Sequence, residues 1–252
     1  MTEKKIALIS GSATGIGFAG AVRLAEDGCY NLILADWNKE ELEKAAALCR
    51  EKGANVDKFV VDMGKEGEVA EMVANIVEQY GRIDFFFNNQ GVIHMPKDFE
   101  NITEEDMDYV LHSNFKACFF GMKHVGKVMI SQKEGHILNT GSSSGLRPET
   151  GFGVYSATKH GVIGLTKDAA IEWARYNVRV NCICPGGYVT PLTVAVGAYM
   201  QENKYIQPKS SFALLNRMGD VKEIVGMIST LASDASSYMT GSVISLDGGN
   251  TL

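Results

Sequence analysis

The stretch KKIALISGSATGIG, residues 4 to 17, decides the fold. It begins as an unbroken apolar run of strand length and continues into a short turn that contains Gly11, Gly15, Ile16 and Gly17. The next segment, FAGAVRLAEDG, has the apolar spacing of a helix. A strand, a glycine-rich turn and a helix in this order are typical of a dinucleotide-binding unit, because the turn brings backbone N–H groups to a pyrophosphate. A plain tight turn between strand and helix is the alternative.

The rest of the chain repeats this alternation of strand and helix. Apolar runs of strand length recur at NLILAD, KFVVDM, RIDFFFNN, GHILNTG, RVNCICPG and SVISLDGG. Helix starts are indicated where Asn38, Thr103 and Asp220 each precede an acidic residue three positions on. We therefore predict one α/β domain over residues 1–252, a doubly wound parallel sheet of seven strands with helices on both faces. An irregular region at about 187–219 is expected to be a substrate lid.

Composition excludes several classes of protein. With 252 residues, 45% of them hydrophobic and 21% charged, the chain is an ordinary globular protein. The net charge of -6, without a cluster of Lys and Arg, argues against nucleic acid as a partner. No apolar run approaches the roughly 20 residues of a membrane span, and no signal peptide is indicated at the N-terminus.

The five cysteines are an odd number and do not form a framework of short loops. This usage indicates a reducing compartment, so we expect a cytoplasmic location. Cys182 and Cys184 alternate along one strand and face the same side, as a pair of metal ligands would. Because no second ligand pair accompanies them, we expect a buried structural role and no metal.

Asp36 ends the second predicted strand and decides the expected cofactor. It lies close to the usual offset of about 20 residues from the phosphate-binding turn, where a carboxylate accepts hydrogen bonds from the ribose and repels a 2′-phosphate. The neighbours Ala35, Trp37 and Asn38 provide no arginine to hold that phosphate, and Lys39 is the nearest cation. We therefore predict NAD rather than NADP.

The segment VYSATKHGV contains Tyr155 and Lys159, which are four residues apart. This spacing puts both side chains on one face of a helix. A free tyrosine titrates at about 10, and a nearby cation favours its ionised form. The pair is therefore a candidate general acid and base near neutral pH. A surface helix with an amphipathic tyrosine would show the same spacing.

These motifs together resemble the classical short-chain dehydrogenase/reductase family over nearly the whole chain. The resemblance rests on the glycine turn, Asp62 in VVDM, NNQG at 88–91, Asn114, Ser142, YSATK at 155–159, PGGYVT at 185–190 and the closing TGSVISLDGG. It implies a Rossmann fold, a homotetramer and an NAD(H)-dependent enzyme that interconverts a secondary alcohol and its ketone. Bacterial reductases of cyclic ketones and secondary-alcohol dehydrogenases are the most similar branch. A hydroxysteroid dehydrogenase and a 3-oxoacyl-carrier-protein reductase are alternatives.

The resemblance also implies roles for single residues. Tyr155 would exchange a proton with the substrate oxygen, Lys159 would tune Tyr155 and bind the nicotinamide ribose, and Ser142 would hydrogen-bond the substrate. Asn114 would hold a water that connects Lys159 to solvent. Besides Tyr155 and Lys159, the implied cofactor contacts are Gly11, Gly15, Ile16, Gly17, Asp36, Trp37, Asp62, Met63, Asn89, Gly91, Pro185, Gly186, Val189 and Thr190.

Other interpretations of these residues stay open. Ser142 begins a run of three serines and could equally form a polar turn. Asp62 could cap the next helix, and Asn114 is an unfavourable residue inside a helical pattern, which suggests a specific reason for it. A dinucleotide-binding sensor that has lost the chemistry is the non-enzyme alternative, although such a sensor has no need of Tyr155 and Lys159.

Three residues are candidate substrate contacts. Gln90 stands where the family usually has alanine, and its amide either points away or reaches the nicotinamide or the substrate. His94, after the fourth strand, contacts the substrate or is a solvated loop histidine. Tyr188 begins an apolar lid segment that also contains Ile206 and Phe212. This apolar lid predicts a hydrophobic or cyclic small-molecule substrate.

Overall fold

The predicted alternation of strand and helix is confirmed. The computed structural model describes residues 4–205 and 213–252. Its strands are β1 (Lys5–Ser10), β2 (Tyr30–Asp36), β3 (Val56–Val60), β4 (Phe85–Asn88), β5 (Gly135–Thr140), β6 (Val178–Pro185) and β7 (Val243–Leu246). Its helices are α1 (Gly15–Asp27), α2 (Lys39–Glu51), α3 (Glu66–Tyr80), α4 (Glu104–Val110), α5 (Ala117–Gln132), α6 (Gly153–Trp173), α7 (Pro191–Glu202) and α8 (Val221–Ala232).

The strands form one parallel sheet of seven in the order β3-β2-β1-β4-β5-β6-β7. The chain runs outward from β1 to β3 and then crosses back, so that β4 pairs with the other side of β1. The order of the strands therefore reverses between β1 and β4. In doubly wound sheets, ligands bind outside the carboxyl ends of the strands at such a switch point.

Consecutive phenylalanines in β4 show how both faces of the sheet are covered. Phe86 packs into a cluster that includes Met72 of α3 and Val125 of α5. Phe85 and Phe87 point to the opposite face, into a cluster with residues of α1, α2 and α8. The strand is buried on both faces, and this explains its unbroken apolar sequence.

The predicted helix starts are confirmed by their caps. The Asn38 side chain accepts a hydrogen bond from the Glu41 backbone N–H at 3.2 Å. Thr103 and Asp220 are each the N-cap of a helix, and each forms a reciprocal capping box with the residue three positions later. These side chains satisfy N–H groups that the first helical turn leaves unpaired.

Two expectations about element boundaries were wrong. β3 ends at Val60, so Asp62 and Met63 follow the strand instead of ending it. The region 187–219 is not irregular throughout, since α7 occupies Pro191–Glu202. The signals for this helix were Pro191 at its first turn and a capping box between Thr190 and Thr193. No residue of α7 is buried, and its apolar residues are spread around the helix instead of forming one apolar face.

The cysteines are all free thiols. Cys182 and Cys184 are buried on β6, and a Cβ added to Gly141 would lie 2.9 Å from each of their sulfurs. Within residues 4–205 and 213–252, no group of three or more His, Cys, Asp or Glu side chains is placed to hold a metal ion. No helix within these described ranges has the length and apolar character needed to cross a membrane.

His136 is a buried histidine that joins β5 to β6 and α8. Its Nδ1 lies 2.9 Å from the Leu231 carbonyl oxygen, and Asn181 Nδ2 donates to its Nε2 at 2.9 Å. This arrangement requires the neutral ring with the proton on Nδ1. Burial, and secondarily the nearby Arg179, lower the pKa of His136 to about 3.

We expect this histidine to make the fold sensitive to acid. The unfolded chain has an ordinary histidine pKa of about 6.5 and binds the proton between that pH and the folded value of about 3. The free energy of unfolding is therefore fully maintained above about pH 6.5 and falls below it, by up to about 1.4 kcal/mol per pH unit from this group. Urea unfolding of wild type and His136→Gln should show a shallower acid decline in the variant. Equal declines would contradict the assignment.

Candidate active site

A cleft crosses the carboxyl ends of β1 to β6. It gathers most of the side chains that the sequence places in the site: Gly11, Gly15, Ile16, Asp36, Trp37, Asp62, Met63, Asn89, Gln90, Gly91, Ser142, Tyr155, Lys159, Pro185, Gly186, Tyr188 and Thr190. Gly17, His94, Asn114 and Val189 do not line it. The switch point predicted from the strand order is therefore where the candidate residues converge.

The glycine turn needs its three glycines for two reasons. Gly11 and Gly15 both have φ of +61°, the left-handed region that residues with a Cβ rarely adopt. Gly17 lies beneath the turn, where an added Cβ would be 2.0 Å from the Gly11 carbonyl oxygen. Asn89 supports the turn from β4, since its Nδ2 donates to the same Gly11 oxygen at 3.2 Å.

Asp36 is held beside this turn by two backbone groups. Its Oδ2 accepts from the Ala13 N–H at 3.0 Å, and its Oδ1 accepts from the Asn38 N–H at 2.9 Å. The carboxylate is thereby fixed at the rim of the cleft, next to the half-exposed Trp37. Among the described residues that line the cleft, none is an arginine.

Asp62 lies on the same side of the cleft as Asp36. Its carboxylate lies 2.9 Å from His112 Nε2, and its Oδ1 accepts from the Gly64 N–H at 2.9 Å. α3 begins later, with Lys65 at its N-cap, so the alternative that Asp62 caps this helix was wrong. Met63 is buried against the wall next to it.

Tyr155 and Lys159 lie in the first two turns of α6, on the side that faces the cleft. Lys159 is only 4% exposed, and its Nζ donates to the Thr140 carbonyl oxygen at 2.8 Å. The same Nζ lies 5.8 Å from the centroid of the Tyr155 ring. Because a buried ammonium must be paired, this carbonyl at the end of β5 fixes the charge next to the tyrosine.

Ser142 follows β5 and lies on the wall of the same cleft. Its Oγ accepts from the Ser144 N–H at 3.1 Å. Ser142 therefore forms the polar turn that the sequence offered as an alternative. A hydroxyl that accepts from the backbone keeps its own proton for another acceptor. The turn therefore leaves a hydrogen-bond donor on the wall of the cleft that Tyr155 also lines.

Asn114 lies behind the wall instead of on it. It belongs to a π-helical turn, Leu111–Lys116, between α4 and α5, and it is 1% exposed. Its Oδ1 accepts from the Val92 N–H at 2.7 Å, and its Nδ2 donates to the Val92 carbonyl at 2.9 Å. A Cβ on Gly91 would lie 3.3 Å from this Oδ1 and 3.4 Å from Lys159 Nζ. Asn114 thus fixes the loop after β4, and its expected role in holding a water stays a prediction.

The Gln90 amide does not face the substrate side. Its Oε1 accepts a hydrogen bond from the Ser10 hydroxyl, and its Nε2 donates to Asn88 Oδ1 at 2.9 Å. Both partners belong to the strands beneath the cleft. The ends of β1 and β4 thus pair both polar groups of this amide, and a contact between Gln90 and the substrate stays a prediction.

Val189 and His94 also differ from expectation. The Val189 side chain is half exposed, and its N–H donates to the Gly219 carbonyl at 2.9 Å, so this group is already paired outside the cleft. His94 is buried, not solvated, with Nδ1 2.8 Å from the Met95 carbonyl and its ring 6.0 Å from that of Phe152. Neither residue lines the cleft, and their expected contacts with cofactor and substrate stay predictions.

Tyr188 lines the cleft near the start of region 187–219. It forms a parallel bridge with Gly219, which brings together the two ends of this region. An added Cβ on Gly219 would lie 2.6 Å from the Tyr188 ring, so the ring packs directly on this glycine. Burial raises the pKa of Tyr188, and this makes it a poor partner for proton transfer.

The comparisons with known proteins cover almost the entire chain. A family model described as "Enoyl-(Acyl carrier protein) reductase" matches residues 11–251. Levodione reductase of Leifsonia aquatica is 36% identical, over 98% of this chain and 94% of that protein. The 3-oxoacyl-acyl-carrier-protein reductase FabG of Thermotoga maritima is 37% identical, over 98% of both.

Solved structures of similar proteins share the fold. The crystal structure of levodione reductase has a TM-score of 0.91 at 35% identity and covers 98% of this chain and 97% of its own. NAD+-bound xylitol dehydrogenase has a TM-score of 0.90 at 34% identity, with 97% and 98% covered.

The contact beneath the glycine turn predicts that Gly17→Ala removes dinucleotide binding. A Cβ 2.0 Å from the Gly11 oxygen must displace either the turn or the start of α1. Gly67→Ala is the matched control, because Gly67 lies in the first turn of α3 with nothing within 4 Å of the added Cβ. Calorimetric titration with NAD should show a dissociation constant that is at least about tenfold higher for Gly17→Ala and unchanged for Gly67→Ala. Equal affinity in the two variants would refute the role of Gly17.

Proposed function

The chain belongs to the short-chain dehydrogenase/reductase family, and we propose that it is an oxidoreductase that uses NAD(H). Its proposed reaction interconverts a hydrophobic or cyclic secondary alcohol and its ketone, because the family members among its relatives act on CH–OH or keto groups. One observation carries the proposal. The Lys159 ammonium is buried on the Thr140 carbonyl, 5.8 Å from the Tyr155 ring, in the cleft that also holds Ser142. This geometry is suited to moving a proton at a substrate oxygen.

The protein groups handle the proton. In ketone reduction the Tyr155 hydroxyl donates it to the carbonyl oxygen, and in alcohol oxidation the ionised hydroxyl accepts it. Lys159 holds a positive charge beside the Tyr155 ring, and Ser142 donates a hydrogen bond that orients the substrate oxygen. NAD(H), when bound, accepts or supplies the hydride.

The residues of the cleft fit a dinucleotide. The glycine turn and the start of α1 supply backbone N–H groups for the pyrophosphate, while Asp36 and Asp62 accept hydrogen bonds at the adenosine end. Gly91 leaves a cradle that a Cβ would fill, 3.4 Å from Lys159 Nζ. An ammonium has three donors, and Thr140 uses one of them, so Lys159 keeps donors for the nicotinamide ribose.

NAD is preferred over NADP because of the charge at Asp36. The carboxylate is fixed by the N–H groups of Ala13 and Asn38 and cannot readily turn away from a 2′-phosphate. The cleft wall that the structure describes offers no arginine for such a phosphate. Xylitol dehydrogenase, with a similar structure, was solved with NAD+.

The lid supports a hydrophobic substrate. Leu192 of α7 lines the cleft and is exposed there, and Tyr188 forms the adjoining wall. Because α7 buries no residue in the core, it is free to close over a ligand. Ile206 and Phe212, also expected in the lid, lie outside the described residues. The similar levodione reductase is named for a reductase activity, and this supports a ketone as one partner of the reaction.

The similarity to FabG supports a second candidate substrate, an acyl group bound to a carrier protein. An acidic carrier protein requires a basic surface, whereas this chain has a net charge of -6. We therefore favour a small-molecule substrate. A non-catalytic sensor would bind NAD without turning over any alcohol, and the paired Tyr155 and Lys159 would then have no purpose.

We also propose a homotetramer built from α5, α6 and β7, as the family resemblance implies. Apolar side chains on these parts of the surface are exposed in the single chain, including Phe119 of α5 and Ile171 of α6, the latter 83% exposed. Burying such side chains between copies would remove apolar surface from water. The cytoplasmic location stays a prediction from the sequence.

The assignment predicts that Tyr155→Phe abolishes turnover and leaves NAD binding intact. Loss of the proton donor should lower kcat by at least about a hundredfold, since the ring and its packing are retained. Tyr176→Phe is the control, because that tyrosine lies after α6 against Arg175 and outside the cleft. Initial rates on a panel of cyclic and secondary alcohols with NAD measure the effect. Undiminished turnover in Tyr155→Phe would refute the role, and tight NAD binding by wild type without any turnover would favour the sensor.

The choice of cofactor predicts a second outcome. Asp36→Ala should weaken NAD binding and improve NADP binding, so that the ratio of their kcat/KM values shifts by at least about tenfold. Glu40→Ala removes the same charge from an exposed position of α2 and should leave the ratio unchanged. An unaltered NAD preference in Asp36→Ala would defeat the assignment.

A further inference from the structure

Gln90 ties the end of β1 to the end of β4 with its side-chain amide. Its Oε1 accepts from the hydroxyl of Ser10, the last residue of β1. Its Nε2 donates at 2.9 Å to Oδ1 of Asn88, the last residue of β4. The family usually has alanine at this position, and alanine can form neither bond. This clamp between two strand ends is therefore a feature of this chain's own sequence.

The orientation of the Gln90 amide is fixed from α5. Asn88 Nδ2 donates to the Cys118 carbonyl oxygen at 3.1 Å and to Asn139 Oδ1 at 2.9 Å. Because a backbone carbonyl can only accept, the NH₂ group of Asn88 must face α5 and its oxygen must face Gln90. Gln90 therefore turns its own NH₂ group to Asn88 and its oxygen to Ser10.

Ser10 connects this clamp to the glycine turn through Asn89. The Ser10 hydroxyl gives its one proton to Gln90 and keeps its lone pairs, and its Oγ accepts from the Asn89 N–H at 3.2 Å. The Asn89 side chain in turn donates to the Gly11 carbonyl oxygen at 3.2 Å. The backbone is also close, since a Cβ added to Gly11 would lie 2.7 Å from Gln90 Cα. Gln90 thus fixes the residue that supports the turn.

We propose that Gln90 is a positioning residue for dinucleotide binding, whose amide holds Ser10 and Asn88 so that Asn89 and the Gly11 turn are preformed for the pyrophosphate. The inference rests on the proposed function, since it requires that the cleft binds NAD. A preformed turn loses less conformational freedom when the ligand binds, and this strengthens binding. The amide acts through the protein, and it needs no contact of its own with the ligand.

This role differs in its consequences from a direct contact of the amide with the nicotinamide or the substrate. A clamp on the turn affects every ligand that carries the pyrophosphate, so NAD and ADP-ribose should lose affinity equally when the clamp is removed. The loss should appear in the KM for NAD more than in kcat, because the turn binds the cofactor in the ground state and the transition state alike. A contact with the nicotinamide would affect NAD alone, and a contact with the substrate would raise only the substrate KM.

The experiment compares Gln90→Met with Gln132→Met in the full chain, because methionine has about the length of glutamine but no amide. Gln132, also partly buried, clamps both backbone groups of Ile83 at 2.8 Å. Ile83 comes before β4, so this second clamp lies at the edge of the sheet opposite the cleft. For Gln90→Met we expect the dissociation constants of NAD and ADP-ribose to rise by the same factor, about threefold to tenfold. Gln132→Met should lower the thermal midpoint and keep both dissociation constants.

A double variant tests the route through Ser10. If Gln90 acts on the turn through the Ser10 hydroxyl, Ser10→Ala and Gln90→Met remove the same interaction. The double variant should then bind NAD no more weakly than the weaker-binding single variant. Losses that add in the double variant would refute this route.

Unchanged affinity of Gln90→Met for ADP-ribose would overturn the inference, as would a loss for NAD alone or a change confined to the substrate KM. Gln90→Ala, which has the usual residue of the family, replaces the methionine variant if that variant does not fold, and the same outcomes apply to it. If wild type binds neither NAD nor ADP-ribose, the proposed function fails along with the inference. If wild type binds both and the variant matches it, only the role of Gln90 is refuted.

Discussion

The ammonium of Lys159, buried on the carbonyl of Thr140, is the interaction on which the site depends. An unpaired charge in this position would destabilise the fold by several kcal/mol, so the end of β5 and the start of α6 must meet with this geometry. The same contact fixes the charge near the Tyr155 ring. The position of the ammonium also restricts residue 91 to glycine, because a side chain there would crowd Lys159 Nζ and Asn114.

The sheet links this charge to the glycine turn through one side chain. Asn89, at the end of β4, donates to the Gly11 carbonyl and accepts from the Thr140 hydroxyl at 3.1 Å. It therefore ties the turn after β1 to the residue of β5 whose carbonyl holds Lys159. This is a consequence of the strand order, since β4 lies between β1 and β5. The end of the cleft that is proposed to bind phosphate and the end that is proposed to transfer the proton are thus parts of one hydrogen-bonded edge.

Features with a local or periodic origin could be predicted from the sequence. The strands are buried on both faces and are therefore continuous apolar runs, and caps such as that of Thr103 satisfy the helix in which they occur. The inward turn of the Gln90 amide depends on Ser10 and Asn88, which come from two strands, and no local pattern shows that pairing. The π-helical turn around Ser113 is likewise invisible in apolar spacing. α7 was missed because its apolar residues are distributed around the helix and leave no amphipathic period.

The proposed chemistry requires that the buried ammonium of Lys159 lies between the tyrosine and the cofactor, with the tyrosine hydroxyl at the substrate oxygen. The most direct measurement is a crystal structure of the chain with NAD and an unreactive ketone. We expect the Tyr155 and Ser142 hydroxyls both to lie within hydrogen-bond distance of the ketone oxygen, with Lys159 Nζ between the tyrosine and the nicotinamide ribose. A ketone oxygen bound away from Tyr155, or an ammonium turned out to solvent, would contradict it.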